Sequence, residues 1–170
     1  MLFRSTMFNP IDADGIPTDP IVNSLVNFGW EYMLHCHILS HEEMDMMRPI
    51  TVAMPPIAPN ALLHSIDGNS LTLTWMDNSI TETEFEIEVT SDGFTWVSLG
   101  TIPVSLDQPN THGPRSFIDT NYSESKIAYR VVAKNTIGYG MEFPALTVKS
   151  MSAPYFVGTL FYQFLPEIAK

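Results

Sequence analysis

Five residues in the stretch HCHILSHEEMDMM, residues 35 to 47, could ligate a metal ion: His35, Cys36, His37, His41 and Met46. The stretch holds the only cysteine of the chain and three of its five histidines. A thiolate, an imidazole and a weak thioether are the ligand set of a blue-copper electron-transfer site, which needs one further histidine to complete its trigonal plane. Zinc is the competing metal, but a structural zinc site needs four ligands and is usually richer in sulfur. Met44 and Met47 add two more thioethers, which either offer extra Cu(I) donors or fill gaps as flexible apolar residues. Glu42, Glu43 and Asp45 read as a solvated acidic loop rather than a catalytic set.

The elements around these residues decide what they can reach. GWEYMLHCHIL, residues 29 to 39, is rich in aromatic and aliphatic side chains and predicts a strand. Alternation along it sets His35 and His37 on one face and Cys36 on the other, so the three cannot be aimed at a single ion. One strand thereby offers ligands to two different sites. His41 and Met46 fall past the strand end, where a loop or short helical turn can fold them back toward Cys36.

Beyond the cluster the character of the chain changes. In MPPIAPNA, residues 54 to 61, three prolines fall within five positions, which removes backbone donors and favours extended chain, as in an interdomain linker. After it the pattern is of period two. SLTLTW alternates Leu71, Leu73 and Trp75 with polar residues, and EFEIEV alternates Phe85, Ile87 and Val89 with glutamates. SDG at 91 to 93 is turn chemistry leading into FTWVSLG, and SFID reads as a further short strand. KIAYRVVAKNTIGYG places Ile127, Tyr129 and Val131 on one face and ends in the turn residues Asn135 and Gly138. Trp75 and Tyr129 are expected in the core, His64 and His112 at the surface or in turns.

The expected organisation is therefore an arm of residues 1–57, an antiparallel β-sandwich over 58–150, and an apolar tail over 151–170. The tail is interrupted by Gly158 and Pro166 and is too short and broken to span a membrane. Acidic residues outnumber basic ones, 19 to 8, for a formal charge of −11. That balance argues against nucleic acid and anionic membranes as partners. A single cysteine excludes an internal disulfide framework. MLFRSTMFNPIDADG lacks the apolar stretch of a secretory signal.

HCHILSHEEMDM resembles the last copper-binding motif of the multicopper oxidases, the laccase-like family of cupredoxin fold. Its pattern is H-C-H, three residues, a histidine, four residues, and then Met, Leu or Phe. The resemblance covers about residues 20 to 55. It implies that Cys36 and His41 are ligands of the type 1 copper, with Met46 axial. His35 and His37 would then belong to the trinuclear cluster that reduces dioxygen to water. Copper is the implied cofactor, and the implied location is extracellular or periplasmic. Family members carry three further histidine-rich motifs that are not found here, so the isolated chain is expected to lack oxidase activity and to depend on missing oxidase domains or a partner chain. From about Ala58 to Ser150 the chain resembles a fibronectin type III domain, through LTLTW and YRVVAKNTIGYG, with Ile127 standing where that family often has a tyrosine. The expected fold class is all-β, a partial cupredoxin segment followed by this immunoglobulin-like sandwich. Two other readings stand beside the oxidase segment. One is a non-enzymatic binding or spacer module with a vestigial copper-motif arm, and the other a copper-delivery or sensing peptide.

Overall fold

The computed structural model describes residues 14–17, 27, 29–44, 46–104, 111–138 and 144–157. These residues fold as β-structure apart from one turn of helix. Strands β1 (Trp30–His35) and β2 (Met47–Val52) form an antiparallel hairpin, in register from Trp30 opposite Val52 to His35 opposite Met47. Between them lies α1 (Leu39–Glu42), capped by Ile38 in extended backbone. The sequence predicts a strand running on to Leu39, but β1 stops at His35. The Ile38 carbonyl instead accepts from the amides of His41 (2.8 Å) and Glu42 (3.0 Å), which starts the helical turn.

The remaining strands build two facing sheets. They are β3 (Asn60–Asp67), β4 (Ser70–Asp77), β5 (Glu84–Thr90), β6 (Val97–Pro103), β7 (Gly113–Asp119), β8 (Ala128–Ile137), β9 (Leu146–Met151) and β10 (Tyr155–Phe156). One sheet is ordered β3-β4-β7. In the other, β5 lies between β6 and β8, and the far edge of β8 pairs with both β9 and β10. The alternating residues of β4 and β5 supply the core: Leu71, Leu73, Trp75, Phe85, Ile87 and Val89 are all buried, together with Tyr129, Val131 and Ala133 of β8. Trp75 and Phe85 meet edge to face across the two sheets, with ring centroids 5.7 Å apart. The outward glutamates of β5 pair with cations on β8: Glu84 and Glu86 with Lys134, and Glu88 with Arg130.

Local chemistry explains where strands begin and break. β6 starts at Val97 rather than Phe94 because Asp92 Oδ1 accepts the amides of Phe94 (2.8 Å) and Thr95 (2.7 Å), holding a turn. Those amides hold the Asp92 carboxyl below the usual carboxylate range. Between β9 and β10 the chain contains Pro154, which has no amide to offer. There Ser152 bridges to β8: its amide donates to the Val131 carbonyl (2.9 Å) and its hydroxyl accepts from the Val131 amide (3.0 Å). Val157, past β10, is buried in the same core, so that core extends beyond residue 150. Among the described residues no helix is long and apolar enough to cross a membrane.

Candidate metal centre

The turn between β1 and β2 is closed by its own backbone. The Met46 amide donates to the His41 carbonyl (3.0 Å), and the Cys36 amide donates to the Met46 carbonyl at 3.4 Å. One turn of helix inside this loop swings His41 back, so that Cys36 Sγ lies 3.5 Å from His41 Nδ1. The thiol is half-buried, whereas Met46 is exposed. Met46 thus meets Cys36 through its backbone, with its side chain largely in solvent.

His35 and His37 form a second group. Their rings are tilted at 49° with centroids 4.6 Å apart. His35 Nδ1 is buried and without a hydrogen-bond partner. A buried polar atom left unpaired costs its full desolvation penalty, so this nitrogen suits a ring that holds something through it.

Among the described residues no three His, Cys, Asp or Glu side chains converge into a metal-holding group. The donor set is therefore two pairs: Cys36 with His41, a thiolate and imidazole suited to copper, and His35 with His37. Neither pair is a complete coordination sphere. The two other histidines do not join them: His64 lies on β3 with its Nδ1 3.0 Å from the Tyr155 hydroxyl, and His112 is exposed beside β7.

The deciding comparison concerns this hairpin. Residues 20–55 match the family model of the multicopper oxidases. The matched segment spans β1, α1 and β2 and includes all five candidate ligands. It is similar to a multicopper oxidase, a family that uses copper. No curated protein and no solved structure gives a significant match to the chain. Sequence reading also missed the roles of the residues at the base of the hairpin, Asn27, Gly29 and Asn135; it takes Asn135 for a turn residue, whereas Asn135 is buried within β8, which runs on to Ile137. Only Gly29 carries a local signal, as a glycine just ahead of a strand; the partnership between residues 27 and 135 is remote in sequence and has none.

Proposed function

We propose that residues 20–55 are the copper-binding C-terminal segment of a multicopper oxidase, in which Cys36 and His41 would hold a type 1 copper as its strong ligands and Met46, whose side chain stands in solvent, would have to turn inward to add a weak thioether. His35 and His37 would serve a second centre, the trinuclear cluster. The observation that carries this reading is the 3.5 Å approach of Cys36 Sγ to His41 Nδ1 inside the matched hairpin, beside the paired rings of His35 and His37. Bound copper supplies one-electron redox chemistry, through which a reducing substrate is oxidised and dioxygen reduced to water.

The protein's own contribution is positional. Cys36 is covalently joined on both sides to a histidine, so one stretch of backbone connects the two centres. The hairpin turn presents thiolate and imidazole together, and the missing third strong ligand comes from additional oxidase domains or a partner chain. The chain by itself therefore has no oxidase turnover. By the same reading the protein works outside the cytoplasm.

The test is titration of the purified chain with Cu(II), followed by visible absorption. Cu(II) binding by the chain, short of a complete blue site and weakened in both Cys36→Ser and His41→Ala, supports the assignment. A folded protein that takes up no Cu(II) overturns it for this chain.

A second reading is favoured by one specific observation, the dense core of the sandwich against the open faces of the hairpin. The order β3-β4-β7 facing β6-β5-β8-β9 supports a fibronectin type III-like module. Such a module would serve as a spacer or recognition domain, with the hairpin a vestigial arm. A chain that takes up no Cu(II) yet keeps its full thermal transition is the outcome this reading expects.

A further inference from the structure

A two-stranded hairpin is marginal in water on its own, and β1–β2 exposes Trp30, Tyr32 and Leu34 on one face. Its order needs a source outside the ladder, and the structure shows one at its base. Asn27 Nδ2 donates to Asn135 Oδ1 (2.9 Å) and to the Thr136 carbonyl (3.0 Å). Its Oδ1 accepts the Gly29 amide (3.0 Å), and its carbonyl accepts the Gly138 amide (2.9 Å). From the other side, Asn135 Nδ2 donates to the Met54 carbonyl at 2.9 Å.

Asn135 lies on β8 and is only 2% exposed. One buried amide therefore grips the chain just before β1, at Asn27, and just after β2, at Met54. Gly29 permits the close approach: its φ is +70°, and a Cβ there would lie 2.8 Å from the Val52 carbonyl oxygen and 3.1 Å from Ile137 Cγ2. A buried side-chain amide is costly unless both its ends are bonded. Asn135 has both ends bonded only while the hairpin is docked.

We propose that Asn135 is a positioning residue for the metal motif: it clamps both ends of the hairpin to the sandwich, so the hairpin that carries the Cys36–His41 pair is held in place by the β8 joint. The role assigned to that pair rests on the copper reading above, but the joint itself is testable without metal. The metal-free full chain is compared with Asn27→Ala and Asn135→Ala by the rate at which an aromatic disulfide reagent labels Cys36, and by amide exchange. Loss of the clamp raises labelling roughly tenfold, the scale expected when about one to two buried hydrogen bonds guard a local opening. Exchange then accelerates in Trp30–His35 and Met47–Val52, while β4 and β5 stay protected.

Unchanged labelling and exchange in Asn27→Ala overturns the proposal, because the hairpin then holds itself. Should Asn135→Ala fail to fold, Asn27→Ala still decides, since Asn27 lies outside the sandwich strands. Copper separates this inference from the reading beneath it. If the unaltered chain binds no Cu(II), the copper reading falls while the labelling ratio still judges the joint. If it binds, Asn27→Ala must bind more weakly in step with its labelling, and equal affinity overturns the positioning role.

Discussion

Strands β4 and β1 each carry a tryptophan in an alternating run, yet Trp75 is 2% exposed and Trp30 is 53% exposed. In β4, Leu71, Leu73 and Trp75 face a second sheet that supplies Phe85, Ile87 and Tyr129. In β1 the equivalent face carries Trp30, Tyr32 and Leu34, each more than half exposed, and its ladder partners Ile50 and Val52 are exposed as well. Period-two alternation therefore names the face that seeks burial, and a second sheet must be present to provide it. The sandwich carries its own second sheet, whereas the hairpin borrows order from β8 at its base.

The sharpest way to break this contrast is a matched pair of truncations. Trp75→Ala is expected to destabilise the sandwich by about 3–5 kcal/mol, the usual cost of emptying a large buried aromatic site. Trp30→Ala is expected to cost no more than about 0.5 kcal/mol, as for surface changes. Chemical denaturation of both variants checks the pair, and equal costs would mean that the two faces are equally buried in solution.

A smaller effect tests the polar part of the sandwich. Tyr129, fully buried, donates its hydroxyl to Asp119 Oδ2 at 2.7 Å, and Lys126 Nζ reaches the same oxygen at 2.6 Å. Burial pushes the Asp119 carboxyl up, but Lys126, Tyr129 and the Asn121 amide outweigh it and hold the group below its ordinary 3.8. The ionised form is therefore the one the fold favours. Its contribution is present above pH 3.8 and is lost as pH falls through the lower folded value. Tyr129→Phe is expected to cost about 1.5–3 kcal/mol at neutral pH, the range for a hydrogen bond to a charged group. It should also weaken the loss of stability on acidification, which denaturation midpoints from pH 5 down to about 2 would show.

Glu82 provides the opposite slope. It is buried in the connection between β4 and β5, with Oε2 unpartnered. Asp77, close by, is held by Arg115 at 3.1 Å and by the Ser79 amide at 3.1 Å. Burial, helped by repulsion from Asp77, raises the Glu82 carboxyl above its ordinary 4.5. A raised folded value contributes stability below pH 4.5 that is lost as pH climbs through it. Glu82→Gln keeps the shape without the titration. Its stability relative to the unaltered chain should rise as pH increases from 4 toward neutrality, and a constant difference across that range would sink the account.

How much of this was legible in the sequence follows the same division. β4, β5 and β8 were visible because their inward residues alternate and are buried on a facing sheet. β3 was not, since Leu63 and Ile66 point to solvent and leave no period to read. β9 and β10 escaped because their definition lies in pairing with β8 and in the Ser152 bridge, not in their own composition. The approach of His41 to Cys36 is local, five residues apart, and spacing can express it. The bond between Asn27 and Asn135 spans 108 residues, and nothing in either neighbourhood announces it.

The smallest expected effect bears most directly on the open face. Tyr32 is 58% exposed, opposite Ile50 in the ladder, at the centre of the apolar face of the hairpin. If that face is bare in solution, Tyr32→Ser removes little buried area and shifts stability by no more than about 0.5 kcal/mol at any protein concentration. Contiguous apolar faces of this kind commonly mark contact surfaces, so the informative variable is concentration. A loss well above that figure, with a melting temperature that climbs as the chain is concentrated, would mean that a second copy covers the face. The hairpin would then obtain its second sheet by association, and the difference between β1 and β4 would reduce to where the covering sheet comes from.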